Sequence, residues 1–211
     1  MIEIKDFLSE RLNKHYHNIL ENTEFPWYYC RDITNSPTHF NSYPIDYRQH
    51  GFHHTCFKDY TSQSVVVPHF LHLVEMIKDK LPENELGCDW ELYRLRCGFN
   101  IPLSPVNKKY DYLDYNQPHV DHDNNIITGK TFTCLYYVNE TDGDTVIFNE
   151  KIKPYQKSWP AKFTINKRIE PTRNKLLIFD GDHFHASSSP KKYESRLVIT
   201  FNFHDRIYQV P

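Results

Sequence analysis

No stretch of this 211-residue sequence is long and apolar enough to suggest a membrane span, which needs roughly 18 to 20 consecutive apolar residues. Neither sign of charge is in excess. The 25 basic and 27 acidic residues leave a formal charge of −2, so nothing in the balance favours a nucleic-acid backbone or an anionic membrane as partner. The five cysteines, Cys30, Cys56, Cys88, Cys97 and Cys134, are odd in number and contain no C-x-x-C pair, which argues against a zinc ribbon and a closed disulfide framework. The opening residues, MIEIKDFLSERLNKHYHN, carry no apolar segment of the kind a secretory signal uses. A soluble, cytoplasmic protein is expected. Repeats, low-complexity tracts and Gly/Ser linkers are also missing, so residues 1–211 are read as a single domain.

What is present is globular in character, with 39% apolar and 15% aromatic residues. Ile4, Phe7, Leu8, Leu12, Ile19 and Leu20 fall at helical spacing, and VPHFLHLVEMIKDKLP repeats the pattern with Phe70, Leu73, Val74 and Ile77 before Pro82. Residues 1–89 are therefore expected to be mostly helical support. From Trp90 onward the period shortens, in ELYRLRCGFNI, TFTCLYYVN, TVIFN, KLLIF and SRLVITFNF, with turn signals in NETDGD, EPTRNK and DGD. That spacing predicts a mainly β fold over 90–205, an antiparallel sandwich or jelly roll braced by the N-terminal helices. The segment 107–118 is the clearest long loop.

The loop runs into QPHVDHDNN, where His119 and Asp121 stand two apart. On extended backbone such residues share a face, so an imidazole nitrogen and a carboxylate oxygen can address one ion. His122 and Asp123 cannot join them from the same strand and read as turn residues or as supports behind the ligands. A third ligand is available in FDGDHFHASSS, from His183 or His185. Two histidines and one carboxylate form the facial triad of non-haem Fe(II) oxygenases, which leaves open positions for co-substrates. In SRLVITFNF, alternation puts Arg196, Val198, Thr200 and Asn202 on one face and Leu197, Ile199, Phe201 and Phe203 on the other. Arg196 then points into a polar interior, where a guanidinium is costly without an acid partner and its fork suits a carboxylate.

With these residues in view, the sequence resembles the 2-oxoglutarate and Fe(II)-dependent dioxygenases, in particular the prolyl 4-hydroxylase-like branch with its small members carried by tailed bacteriophages. The resemblance covers about residues 90 to 205. It implies a double-stranded β-helix fold, with Fe(II), 2-oxoglutarate and O2 as cofactor and co-substrates. The family pattern places an arginine or lysine ten or eleven residues after the distal histidine, which selects His185 over His183 because Arg196 follows His185 by 11. The metal set becomes His119, Asp121 and His185, with Arg196 on the distal carboxylate of 2-oxoglutarate. The resemblance further implies Tyr137, in TCLYYVN, and Thr200 as helpers on that carboxylate. Thr145 stands where the family usually begins a strand with Gly-Gly; here the sequence reads Asp142-Gly143-Asp144. The family's first-strand contact matches Tyr110, Tyr112 or Asn100. Asp121 is present where related halogenases carry a small residue, which favours hydroxylation.

The expected reaction is hydroxylation of a prolyl or other peptidyl residue with release of succinate and CO2. The same chemistry on a nucleobase or small metabolite is the nearer alternative. The farther one, a cupin-like isomerase or non-catalytic binding module, has no use for a buried Arg196. The expected partner is a peptide, protein or small-molecule substrate, without nucleic acid or membrane, and the phage-like resemblance would put the enzyme in an infected bacterial cell. Other features read as structural. His69 and His72 mark a half-buried helix face, His53 and His54 a strand or turn edge, and Trp27, Tyr28 and Tyr29 a packed element before a stacking platform. The tyrosines of the 107–118 loop are a candidate lid.

Overall fold

The structure is a computed structural model and describes residues 1–31, 33, 50–83, 89–103, 114–121, 129–153 and 160–205. Strand β11 (Arg196–Asp205) lies at its centre, between β5 (Trp90–Asn100) and β6 (Thr131–Tyr137). β9 (Lys175–Asp180) and β1 (Ile2–Ile4) continue the sheet on one side. On the other lie β3 (Gly51–Lys58), β2 (Tyr28–Cys30) and β4 (Thr61–Ser62). A second sheet runs β10 (His183–Ser187), β7 (Thr145–Lys151), β8 (Ile165–Ile169). All these pairings are antiparallel, and the two sheets face each other as the double-stranded β-helix, or jelly roll, expected from the strand spacing.

The period-2 alternation of β11 explains how both of its faces are covered. Leu197, Ile199, Phe201 and Phe203 pack with Leu95, Cys97, Tyr136 and Ile178 against the helices, while Val198 joins Leu135, Tyr137, Ile147 and Phe179 between the sheets. The helical layer consists of α1 (Glu10–Glu21) and α2 (Leu71–Lys78), the latter preceded by a 3-10 turn at Val67–Phe70 that begins with a proline in its first turn. Phe70, Leu73, Val74 and Ile77 are buried, as their spacing predicts. Tyr16 of α1 stacks on Phe70 at 6.0 Å between ring centroids and meets Tyr136 edge-on at 6.4 Å, which binds the two helices to each other and to the sheet. No helix among the described residues is long and apolar enough to cross a membrane.

Residues 1–89 contribute more sheet than their helical periodicity suggests. Ile4 belongs to β1, which pairs with the edge of β9, and α1 begins only after Ser9, whose hydroxyl caps Leu12 N. β3 is an internal strand. His54 and Cys56 turn toward the helices and His53 and Thr55 the other way, so histidines on both faces hide the alternation. His69 and His72 are exposed rather than half-buried. Tyr28 and Tyr29 are 61% and 62% exposed, unlike the packed element expected of them, because β2 is a three-residue edge strand. Trp27 alone packs inward, donating Nε1–H to Leu20 O at 3.0 Å.

Asn174 ties the N-terminal segment to the β core. Its left-handed backbone (φ 62) is one asparagine tolerates. Its Oδ1 accepts from Leu8 N and from the Tyr136 hydroxyl, each at 3.0 Å, and its Nδ2 donates to Leu8 O at 2.8 Å. Asn13 of α1 completes the cluster by donating to Tyr136 Oη at 2.7 Å and Val138 O at 3.2 Å. Asn174→Ala leaves buried donors and acceptors unmatched and strains the backbone, so it should cost about 2–4 kcal/mol in urea unfolding. Asn174→Gly, which relieves only the strain, should recover a minority of that loss. A cost below about 1 kcal/mol for the alanine variant would show that the cluster is not a structural tie.

Candidate active site

Residues 114–121 lie along the outer edge of the second sheet, where His119 and His185 exchange reciprocal backbone hydrogen bonds of 2.9 Å. This pairing sets the two imidazoles side by side, with ring centroids 4.5 Å apart. Asp121 completes a cluster with them, the three potential ligand atoms lying within 4.8 Å of one another. Nε2 of His119 is 3.8 Å from Asp121 Oδ1, and Nε2 of His185 is 3.6 Å from Oδ2. His119 Nδ1 donates to Gln117 O at 3.1 Å and His185 Nδ1 to His183 O at 3.2 Å. A carbonyl only accepts, so each ring carries a proton on Nδ1 and turns Nε2 toward the carboxylate. His183 is directed elsewhere, donating Nδ1–H to Phe148 O at 2.9 Å.

The charge states suit a divalent cation. Burial, reinforced by neighbouring His185, pushes the His119 pKa down to about 3 despite the opposing pull of Asp121. Burial alone would raise the Asp121 carboxyl, but Arg94, His185 and His119 outweigh it and hold the group well below the usual carboxylate range. The donor set is thus two imidazoles and one carboxylate, the composition of an iron(II) site with open positions. Two residues around it were not given a role from sequence. Arg94 Nη1 donates to Asp121 Oδ1 at 3.1 Å and to Asp121 O at 2.9 Å, and Asn202 Nδ2 donates to Oδ2 at 3.1 Å. Alternation in ELYRLRCGFN, read to its end, puts Arg94, Arg96, Gly98 and Asn100 on one face, and all four line the same cavity as the His–Asp–His cluster.

That cavity runs on to Arg196, Thr145 and Thr200. Arg196 is 3% exposed, donating Nε–H to Gly143 O at 2.8 Å and Nη2–H to Thr145 Oγ1 at 2.9 Å. Among the described residues no carboxylate forms an ion pair with it; burial lowers its pKa, with Tyr137 and Asp144 opposing. The Tyr137 hydroxyl, pushed up to about 12 by burial, also donates to Thr145 Oγ1, at 2.7 Å. Tyr137 is fully buried behind Thr145 and does not line the cavity. Gly143 accounts for the Asp-Gly-Asp departure, since a Cβ there would lie 2.6 Å from Ser188 O and 2.9 Å from Arg196 Cδ. Of the first-strand candidates, Asn100 lines the cavity and donates to Ser187 Oγ at 3.4 Å. Tyr110, Tyr112, His122, Asp123 and most of the 107–118 segment lie outside the described residues.

Comparison with known proteins agrees with this geometry. The model of the 2OG-Fe(II) oxygenase superfamily matches residues 108–204. No curated protein matches by sequence. Among solved structures, the chain is similar to the non-haem α-ketoglutarate-dependent epimerase SnoN of nogalamycin biosynthesis, at TM-score 0.64 and 12% identity over 97% of this chain and 78% of that one. It is similar also to a prolyl-4-hydroxylase of Pseudomonas putida, at TM-score 0.55 and 13% identity over 98% and 92%. A third is a prolyl hydroxylase of Trichoplax adhaerens in complex with a hypoxia-inducible-factor peptide, at TM-score 0.56 and 14% identity over 97% and 83%. At such identities the likeness is one of fold.

Two half-buried imidazoles give the metal-free protein a pH signature. His53 is pushed down to about 4 by burial, with Arg96, Arg94 and His54 adding to it, and His119 lies near 3. Both stay neutral in the folded chain, whereas in the unfolded chain they take up protons near pH 6.5. Between about pH 6.5 and pH 4 the unfolded state binds more protons, so stability falls as the pH is lowered. The depressed Asp121 carboxyl works at lower pH, its contribution being lost only as the pH drops below about 4 toward its folded value. Urea midpoints measured at pH 7, 6, 5 and 4.5 should fall steadily, and His53→Gln should flatten part of the slope. Constant midpoints would mean that these imidazoles titrate as freely as exposed ones.

Proposed function

We propose that this chain, whose residues 108–204 match the model of the 2OG-Fe(II) oxygenase superfamily, hydroxylates a prolyl or other peptidyl residue, holding Fe(II) on His119, Asp121 and His185 and 2-oxoglutarate on Arg196. The observation that carries this reading is that one cavity joins the His–Asp–His cluster to a buried arginine with no carboxylate ion-paired to it among the described residues. Fe(II), when bound, supplies the O2-dependent conversion of 2-oxoglutarate to succinate and CO2 coupled to oxidation of a C–H bond.

The protein groups supply orientation and charge. His119 and His185 offer Nε2 to the metal because their Nδ1–H groups are committed to main-chain carbonyls. Arg196 commits two of its five N–H donors to Gly143 and Thr145, which leaves three for a dicarboxylate's distal end. Thr145 accepts from both Arg196 and Tyr137, so its own hydroxyl proton is left to donate to the same carboxylate. Tyr137 acts through Thr145, and Thr200 adds a hydroxyl from the cavity wall. Burial of this end excludes water and strengthens the pairing of the guanidinium with the incoming acid.

The fold likeness to prolyl hydroxylases supports a peptidyl substrate. A second reading keeps the chemistry and replaces the peptide by a small metabolite, on the strength of the likeness to SnoN, which is known in complex with Fe3+, α-ketoglutarate and nogalamycin RO.

The parent protein should bind one Fe(II) per chain, show a weak visible band when 2-oxoglutarate is added without oxygen, and form succinate in air. His119→Ala, Asp121→Ala and His185→Ala should each lose the metal, and His183→Ala should keep it. Arg196→Met should retain the metal but bind 2-oxoglutarate roughly ten- to a thousandfold more weakly, the effect of losing a charge-assisted fork. Parent-like 2-oxoglutarate turnover in Arg196→Met would make Arg196 structural and remove the main support of the assignment. Mass gain of one oxygen on a panel of proline-containing peptides and small metabolites separates the two substrate readings.

A further inference from the structure

We propose that Arg94 and Asn202 are positioning residues of the metal centre, gripping Asp121 from the strands beneath it so that its carboxylate is set for a cation before one arrives. The inference rests on the proposed iron site and extends it to two residues outside the H-x-D and distal-histidine motifs. Three neighbouring strands create the grip in a single rung. Asn202 of β11 stands opposite Arg94 of β5 on one side and opposite Thr133 of β6 on the other. All three side chains take part. Asn202 Nδ2 donates to Thr133 Oγ1 at 3.0 Å and to Asp121 Oδ2 at 3.1 Å, while Arg94 takes Oδ1.

The geometry separates orientation from mere neutralisation. A single Arg94 nitrogen bonds both Oδ1 and the main-chain oxygen of Asp121, so it fixes side chain and backbone of the same residue. Each carboxylate oxygen accepts one of these bonds and retains a lone pair for a metal. Asn202 is fully buried, and turning its amide over would set its oxygen against the acceptor-only Asp121 Oδ2. The Asn202 side chain is therefore locked in the donating sense. A cation beside a site meant for a dication is repulsive. That Arg94 stands there nonetheless is understandable if what it contributes is the orientation of an otherwise short, rotatable carboxylate. Asp121 needs such help more than His119 and His185 do. The two histidines are held by their mutual backbone pairing, in which Asp121 takes no part.

Co(II) titration of the 211-residue protein, followed by its visible d–d absorption, tests the inference without turnover. Arg94→Gln and Asn202→Ala should each weaken Co(II) binding about 10- to 100-fold, the usual effect of removing a group that orients a metal ligand. Arg94→Lys, which keeps a cationic donor, should recover a large part of that loss. Thr133→Val should produce a smaller loss, since it frees only the far side of Asn202. Melting midpoints of the metal-free variants separate a folding defect from a loss of orientation. Should Arg94→Gln fail to fold, Asn202→Ala and Thr133→Val carry the test. Variants that bind Co(II) as the parent does, with the parent spectrum, overturn the inference alone. A loss in Arg94→Lys as large as in Arg94→Gln also overturns it. A parent that takes up no Co(II) overturns the proposed iron site and this inference with it.

Discussion

A buried carboxylate is the constraint around which the rest of the site is arranged. Asp121 has a side chain only 7% accessible, and an isolated ionised group in that position would protonate or destabilise the fold. It is kept ionised by Arg94 at 3.1 Å and faced by two imidazoles, which together form an environment suited to a divalent cation. The arrangement reaches across both sheets. Arg94 and Asn202 come from the larger one, His185 from the smaller one, and His119 from the segment bridged to it.

The double-stranded β-helix makes this possible by dividing the work of its central strand. One face of β11 is wholly apolar and is buried under α1 and α2. The other carries Arg196, Val198, Thr200 and Asn202 past the cavity, so that one strand supports both ends of the site. Burying the apolar face, at about 1.5–3 kcal/mol per large side chain, offsets the desolvation of the polar one. It also holds those side chains on a rigid scaffold rather than on loops.

At the far end, Arg196 shows how a buried charge is held without an acid of its own among the described residues. Its donors are shared between Gly143 O and Thr145 Oγ1, its guanidinium lies 5.6 Å from the Tyr137 ring centroid, and Gly143 leaves room for its stem. These neutral contacts orient the fork but leave its charge unbalanced. In the proposed function a dicarboxylate completes the balance, and the cavity connecting Arg196 to Asp121 lets one molecule reach both the guanidinium and the metal.

The sequence alone determined the fold class, the polar and apolar faces of β11, the buried stripe of α2, and the short list that contains His119, Asp121, His185 and Arg196. These were legible because each depends on local periodicity or on residues two apart on one strand. It misjudged the start of α1, the sheet content of residues 1–89 and the burial of Tyr28 and Tyr29. Edge strands with short or mixed patterns leave little periodic signal. Only the tertiary structure decided that Arg94 and Asn202, 27 residues before and 81 after Asp121, both grip its carboxylate. It likewise decided that Tyr137 stands behind Thr145 instead of in the cavity. The physical reason is the same in each case. Strand register joins positions far apart in the chain, and which polar side chains meet across it depends on pairings and bulges that no local pattern records.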